Sequence, residues 1–460
     1  MGQLSSLHIL GSVITLSVII FIGIYSGRRV KDSKDFSSGG YNASSALVAG
    51  TIIGTLVGGS STIGTAELAF TNGLSAWWFT IGAGIGCLLL SKIFAVPLRK
   101  SKCDTIQQII SLEYGQKSGI VTSVLSSFGI LINIVAQILA ANALLSSMFA
   151  LSPEVCAIIS VVLMACYVIF GGVLSTGILG IIKFILIYIS VILGALLALK
   201  LSGGFNPIYN SLPHEEYFNL FSRGFGVDAG AGLSVVFGVL STQTYVQAVL
   251  SGKSDDAAKK GAMLSSVLIP PIGIGGILIG LYMRINFPAI ESGQAFPLFI
   301  INNMPPFIGG AVLATLLIAL VGTGAGMALG FGTIITKDIY KKYINKNADS
   351  KRELLVTRIV IIVSLIVSAF FTLGNSKSAI LTWGFMSMGL RATVLLIPMI
   401  SALFFKGKIK SLYAILSSVL GISLFLICEI FLDINIDSLI IGVIVSAVIA
   451  VLGIKNKSID

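Results

Sequence analysis

Apolar runs of membrane length, parted by short polar loops, repeat from one end of the chain to the other. Thirteen can be placed, near Ile9–Tyr25, Ser44–Phe70, Leu74–Val96, Ile120–Ala150, Glu154–Phe170, Gly177–Leu199 and Gly230–Leu250, then Leu264–Met283, Ile308–Ile335, Leu355–Leu373, Ala379–Phe405, Leu412–Leu432 and Ser438–Ile454. Roughly 20 apolar residues suffice for a helix to cross the hydrocarbon. The runs are continuous rather than alternating with period two, which excludes an outer-membrane barrel. The pattern predicts an all-α polytopic membrane protein of about thirteen transmembrane helices.

Two of these runs are interrupted. The second carries Gly58-Gly59 followed by Ser60, Ser61 and Thr62, and the seventh carries Ser241-Thr242-Gln243 after Gly238. Paired glycines weaken a helix, and hydroxyl side chains compete for its backbone bonds. Broken backbone at membrane depth persists only where protein or a watered cavity satisfies it. The two interruptions lie five spans apart, so they occupy corresponding positions and cross in opposite directions. That predicts a five-plus-five inverted-repeat core with discontinuous helices at Gly58-Gly59 and near Ser241. The expected units are 1–43 (first helix and loop), 44–201 (first repeat), 202–405 (second repeat with its external loop) and 406–460 (two further helices).

Composition agrees, with 55% hydrophobic and 11% charged residues and mean hydropathy +0.99 in 460 residues. The net charge of +11 suggests nucleic acid until its distribution is read. Twenty-two lysines and arginines fall on one side of the expected topology and four on the other. That asymmetry puts the N-terminus outside and the C-terminus in the cytoplasm, in a cell membrane with no nucleic-acid role. The first run lacks a basic leader and a cleavage site, so it is read as a helix. Five cysteines without metal spacing and two histidines, His8 and His214, argue against a zinc site or a histidine relay. No HExxH, paired intramembrane aspartates or nucleophile motif points to an enzyme, and no cofactor is expected. A channel or a sensor is the alternative class, though no output domain is evident.

An ordered series of motifs then narrows the reading: RRVKDSKDFSSGG at 28–40, STIGTAELAFTNGLSAWW at 61–78, DTIQQIISLEYG at 104–115 and VIFGG at 168–172. QTYVQAVLSGKSDDAAKKG at 243–261, AFPLFIINNMPPFIGG at 295–310 and TKDIYKKY at 336–343 complete it. In this series the chain resembles the sodium:solute symporter family. The resemblance implies the leucine-transporter fold and ion-coupled uptake of a small organic solute by alternating access, with sodium as the default ion. It also implies a cation site where the second and ninth spans meet, from the backbone oxygens of Gly54, Val57 and Ala319 and the side-chain positions Gly322 and Thr323. Unwound carbonyls and hydroxyls are suitable hard ligands.

Here the sequence departs from the family. One of two expected adjacent hydroxyls is missing at Gly322. Counted from Gly171-Gly172, Gly180 replaces the family's aspartate and Lys183 its glutamine. A lysine near the ion path would repel sodium or stand in for it, and could load and release a proton during the cycle. Proton-coupled or sodium-independent transport is thus the alternative to sodium. The plainer reading is a lysine near a helix end, reaching to lipid phosphates.

Substrate candidates are Gly58, Gly59, Ser60, Ser61 and Thr62 with Ser241, Thr242 and Gln243; interhelical packing is the alternative for each. Amides at a half-helix N-terminus favour a carboxylate or other electronegative group. Ser60 and Ser61 stand where sugar carriers of the resembling family place acidic and amide side chains, which disfavours a sugar. Trp77, Trp78 and Phe79 could wall the site, or the tryptophans could anchor at the interface; Trp383 is a weaker candidate. Glu67 and Arg391 are intramembrane charges and hence functional candidates. Arg391 could pair an anionic substrate, pair Glu67, or hold a backbone carbonyl. An amino acid or small carboxylate is the preferred solute, and a monomer suffices for the mechanism.

Overall fold

The computed structural model describes residues 4–27, 42–169, 172–375, 378–432 and 436–455. The 28–40 motif, Gly171 of the glycine pair, and the basic residues Lys377 and Lys457 lie outside the described residues. Every apolar run placed from sequence falls on a helix or a helix pair. The first part of the chain gives α1 (Ser6–Gly27), α2 (Ser45–Leu56), α3 (Thr65–Asn72), α4 (Trp78–Leu89), α5 (Ile106–Tyr114), α6 (Gln116–Phe149), α7 (Pro153–Ile169) and α8 (Gly172–Leu201). The remainder gives α9 (Phe225–Leu240), α10 (Gln243–Ser251), α11 (Asp255–Leu268), α12 (Pro270–Asn286), α13 (Ala295–Asn303), α14 (Pro306–Ile334), α15 (Ser350–Leu373), α16 (Ile380–Phe404), α17 (Ser411–Phe431) and α18 (Ser438–Leu452). Among the described residues eight helices are long and apolar enough to cross a membrane, nine if the bent pair α9–α10 counts as one.

Helices from 44–201 and from 202–405 interleave rather than forming separate bodies. Central α14 packs on α1, α6, α8 and α2, while α16 packs on α6 and α9. The outer helices α7, α15, α17 and α18 present apolar side chains such as Ile158, Val363, Phe370, Ile430 and Ile444 outward. Exposed aliphatic faces on a chain this apolar are what lipid contact requires.

One helix contact places the site. Gly180 of α8 lies so close to α2 that a Cβ there would land on the carbonyl oxygen of Gly50, with the Cα of Gly54 only 3.1 Å away. Small residues let membrane helices approach backbone to backbone. Lys183, three residues on and so on the same helix face, is thereby brought against Gly54.

The loops at one end of the bundle are bound by their basic residues. Arg99 pairs with Asp255 at 2.7 Å and donates to the carbonyls of Leu250 and Gly252. Lys337 and Lys341 both reach Glu353. The segment 289–305 contains α13, whose Phe296 and Phe299 are fully buried.

Candidate functional site

The first break is a short extended link followed by a π turn. α2 ends where Val57 turns to φ −84°, ψ 98°, and a π turn occupies Ser60–Gly64 before α3 begins. The freed groups are satisfied within the protein. The Gly58 amide donates to Ser61 Oγ at 2.9 Å, and the Gly59 amide donates to Gln137 Oε1 of α6 at 2.8 Å. Thr62 Oγ1 donates to the Gly58 carbonyl at 2.8 Å, and Thr65 Oγ1 to that of Ser60 at 3.0 Å. Glycine is required at 58, because a Cβ would meet Thr323 Oγ1 and Gln137 Oε1. In this conformation the amides proposed from sequence for an electronegative guest are engaged by Ser61 and Gln137. Ser60 Oγ remains buried and without a hydrogen-bond partner. It faces Gly384 of α16 and the Phe79 ring, and Phe79 meets Phe385 edge-on at 5.7 Å.

Phe385 also lines a cavity of about 230 Å³ with Arg223, Phe425, Glu429 and Asp437. Phe385 of the cavity lining thus meets Phe79, which approaches Gly384 as Ser60 does. Of the aromatic wall expected from sequence, only Phe79 is placed here. Trp77 donates to the Pro270 carbonyl at 2.9 Å, and Trp78 to that of Leu220 at 2.7 Å.

The second break bends α9 from α10 by 45°. Thr242 takes an extended conformation and its hydroxyl caps the Gly238 carbonyl at 2.5 Å. Gln243 points away from the break: it donates to the Asp104 carbonyl at 2.8 Å and accepts from the Ile106 amide at 3.0 Å. It therefore ties α10 to the start of α5. Ser241 Oγ is buried and unpartnered.

The residues named for the cation site converge, and Lys183 is among them. Lys183 is 1% exposed, so it is not a lysine reaching to lipid headgroups. Its Nζ donates to the Gly54 carbonyl, to the Ala319 carbonyl at 3.1 Å and to Thr323 Oγ1 at 3.1 Å. An ammonium has three donors, and all three are used. Thr323 Oγ1 in turn donates to the Val57 carbonyl at 3.2 Å. At Gly322 the space a side chain would take is bounded by Tyr167 Oη, 3.1 Å from an added Cβ, and by Lys183 Nζ at 3.5 Å. The lysine occupies the oxygens a sodium ion would need. A second unit charge about 3 Å from the ammonium would cost on the order of 5 kcal/mol at an effective dielectric of ~20. The donor set does not fit sodium while Lys183 is charged. Nor does a carboxylate fit at 180, given the contact with Gly50.

Arg391 and Glu67 are not partners. Glu67 Oε2 accepts from the Ile380 amide at 2.9 Å, at the first turn of α16. Arg391 lies eleven residues farther along that helix, about 16 Å at 1.5 Å per residue. Its contacts are the Ser387 carbonyl (3.0 Å), Ser387 Oγ (3.0 Å) and the sulfurs of Met388 and Met327.

Gln137 is a site residue that the sequence reading passed over. Its signal was available: with Asn133 and Asn142 it is an amide in an otherwise apolar helix, and intramembrane polar residues are expensive.

The comparisons bear on the fold and the family. The model of the sodium:solute symporter family matches residues 36–421. A substrate-bound, outward-open Na+-coupled sialic acid symporter superposes with TM-score 0.83 at 17% identity, over 98% of this chain and 99% of that one. Mhp1, a nucleobase-cation-symport-1 family transporter, superposes with TM-score 0.59 at 11% identity over 92% and 95% of the two chains. An Eremococcus coleocola manganese transporter gives TM-score 0.53 at 15% identity over 89% and 92%. These likenesses establish the leucine-transporter fold. With the family model covering most of its length, the chain belongs to the sodium:solute symporter family, and it is an ion-coupled secondary transporter of a solute embedded in a membrane.

Proposed function

We propose that this symporter is proton-coupled, with the Lys183 ammonium in place of the coupling sodium. The observation that carries this is the set of three bonds from Lys183 Nζ to Gly54, Ala319 and Thr323. Those bonds join α8 to the broken end of α2 and to α14. Losing the proton turns a three-donor cation into an amine with a lone pair facing carbonyl oxygens. The clamp between α2 and α14 then weakens, which is the effect that loss of a bound cation would have. Protonation from one side of the membrane and release to the other would couple the proton gradient to alternating access.

In this reading Gly58, Gly59, Ser60, Ser61 and Thr62 meet the solute from the first break, and Ser241 and Thr242 from the second. The unpartnered hydroxyls of Ser60 and Ser241 support that assignment. Gln243 carries movement of α10 to α5. The basic loops face the cytoplasm and the N-terminus faces outside. The solute is an amino acid or small carboxylate, and a single chain is the working unit.

Uptake into proteoliposomes, with sodium and proton gradients imposed separately, tests this. Radiolabelled amino acids and monocarboxylates should accumulate under an inward proton gradient without sodium. Lys183→Gln should lose gradient-driven accumulation while keeping solute counterflow. Uptake that needs sodium at constant pH, and is unchanged in Lys183→Gln, would overturn the proposal.

A further inference from the structure

Arg391 is fully buried in the middle of α16. A buried cation is tolerated when a carboxylate or a full set of oxygen acceptors compensates for its lost hydration, a penalty of several kcal/mol per ion. Among the described residues no carboxylate pairs with it. Of its five N–H donors, only the Nε–H and one at NH2 reach oxygen, both on Ser387 one turn away. NH2 also touches Met388 Sδ at 3.1 Å, and NH1 meets only Met327 Sδ at 3.7 Å. Thioethers are weak acceptors, so the NH1 edge has no adequate partner.

A second observation is independent of the first. Tyr245, on α10 just past the second break, is 0% exposed, and its hydroxyl has no hydrogen-bond partner. Its neighbour Thr244 donates to the Gly326 carbonyl of α14 at 3.4 Å, one residue from Met327, whose sulfur touches Arg391. Gly129 of α6 lies against the Arg391 side chain, 2.7 Å from Cγ for an added Cβ, which gives the long side chain its room. Helices α6, α10, α14 and α16 therefore surround a positive group and a spare hydroxyl. Arg391 lies seven residues along α16 from Gly384, which faces Ser60, so it is about 10 Å nearer the basic loops.

We propose that Arg391, with the hydroxyl of Tyr245, is a binding point for a monovalent anion on the route between the two breaks and the basic side. The anion is the carboxylate of the transported solute or a halide, and the proposal rests on the transporter reading above. An incoming oxyanion or halide would take the NH1 donor and the Tyr245 hydroxyl, neutralising the buried charge. The neighbouring sulfurs pack against the guanidinium without competing as strong acceptors.

The test is thermal stability of the purified full chain in potassium sulfate. Potassium acetate, lactate, benzoate or chloride is added at matched ionic strength, with acetamide, lactamide and benzamide as neutral controls. The wild type should be stabilised by at least one monoanion, as mass action requires, and by none of the amides. A response to carboxylates alone identifies the solute as the source, and a response to chloride identifies a halide. Tyr245→Phe should weaken the response about tenfold, the range of one hydrogen bond to a charged group. Arg391→Met should abolish it, with an equal or higher melting temperature in sulfate alone.

If no monoanion stabilises the wild type, or if Arg391→Met keeps the response, the proposal is overturned. A large fall in the baseline melting temperature of Arg391→Met would mark a structural arginine and overturn it too. The readout needs no transport, so its failure leaves the symporter assignment intact.

Discussion

Lys183 and Arg391 are both buried cations of this bundle, and they are satisfied in opposite ways. Lys183 has three N–H donors and three oxygen acceptors on two other helices. Arg391 has five donors, a single serine on its own helix, and two methionine sulfurs. Neither has a carboxylate partner among the described residues. The difference teaches that burial alone does not define a role. Lys183 behaves as a ligand already in its socket, whereas Arg391 behaves as a socket lacking its ligand. The first should therefore be a source of stability and the second a liability held for binding.

Removing Lys183 should have the largest effect. Lys183→Met removes the ammonium from the Gly54 and Ala319 carbonyls and the Thr323 hydroxyl, at ~1–3 kcal/mol for each group left unsatisfied. A marked fall in melting temperature and complete loss of gradient-driven uptake are expected. A stable, fully coupled Lys183→Met protein would erase the distinction between the two cations.

Next in size is the return of sodium. Lys183→Gln combined with Gly322→Ser removes the competing charge and restores the second hydroxyl. The serine Cβ would sit 3.1 Å from Tyr167 Oη, so that ring must shift by a few tenths of an ångström. The double variant should gain stability from sodium chloride over potassium chloride, a gain absent in the wild type. An equal response in both proteins would mean that the lysine does not fill a sodium position. Gly180→Asp is not a useful addition, since its Cβ would strike Gly50.

Arg391→Met should move stability the other way, because replacing an uncompensated buried ion by a matched apolar side chain is often neutral or stabilising by ~1–4 kcal/mol. Side-by-side melting of Lys183→Met and Arg391→Met is the sharpest form of the comparison. Shifts of the same sign would remove it.

Much of this was legible in the sequence, and the parts that were not share a cause. Gly58-Gly59 and Ser241-Thr242 advertise their breaks because glycine and hydroxyl residues are locally incompatible with an uninterrupted apolar helix. Lys183 could be put in register by counting from Gly172, since helix spacing carries over the intervening turns. What sequence could not reveal was contact across helices. Gln243 reads as a site residue by position, yet its amide is committed to Asp104 and Ile106. The approach of Gly180 to Gly50 decides where the ammonium lands, and nothing local to either glycine announces the other. Arg391 was legible as a charge in a span, but its lack of a carboxylate partner among the described residues is a property of three neighbouring helices.

The smallest expected effect concerns a buried carboxylate, Glu67. Glu67 is 8% exposed and accepts the Ile380 amide at the N-terminal end of α16. A carboxylate there gains from both the hydrogen bond and the positive end of the helix dipole, worth about 0.3–1 kcal/mol and up to ~2 when partly buried. Glu67→Gln keeps an acceptor for the amide but drops the charge, so it should lower the melting temperature slightly. Glu67→Leu removes both and should lower it about twice as far. If Glu67→Gln equals the wild type while Glu67→Leu falls, only the hydrogen bond matters, and Glu67 is satisfied as Lys183 is, by a complete partner. If Glu67→Gln falls as far as Glu67→Leu, the charge itself holds α16 in place. Glu67 would then stand with Arg391 as a group whose charge, not its hydrogen bond, is the reason for its burial.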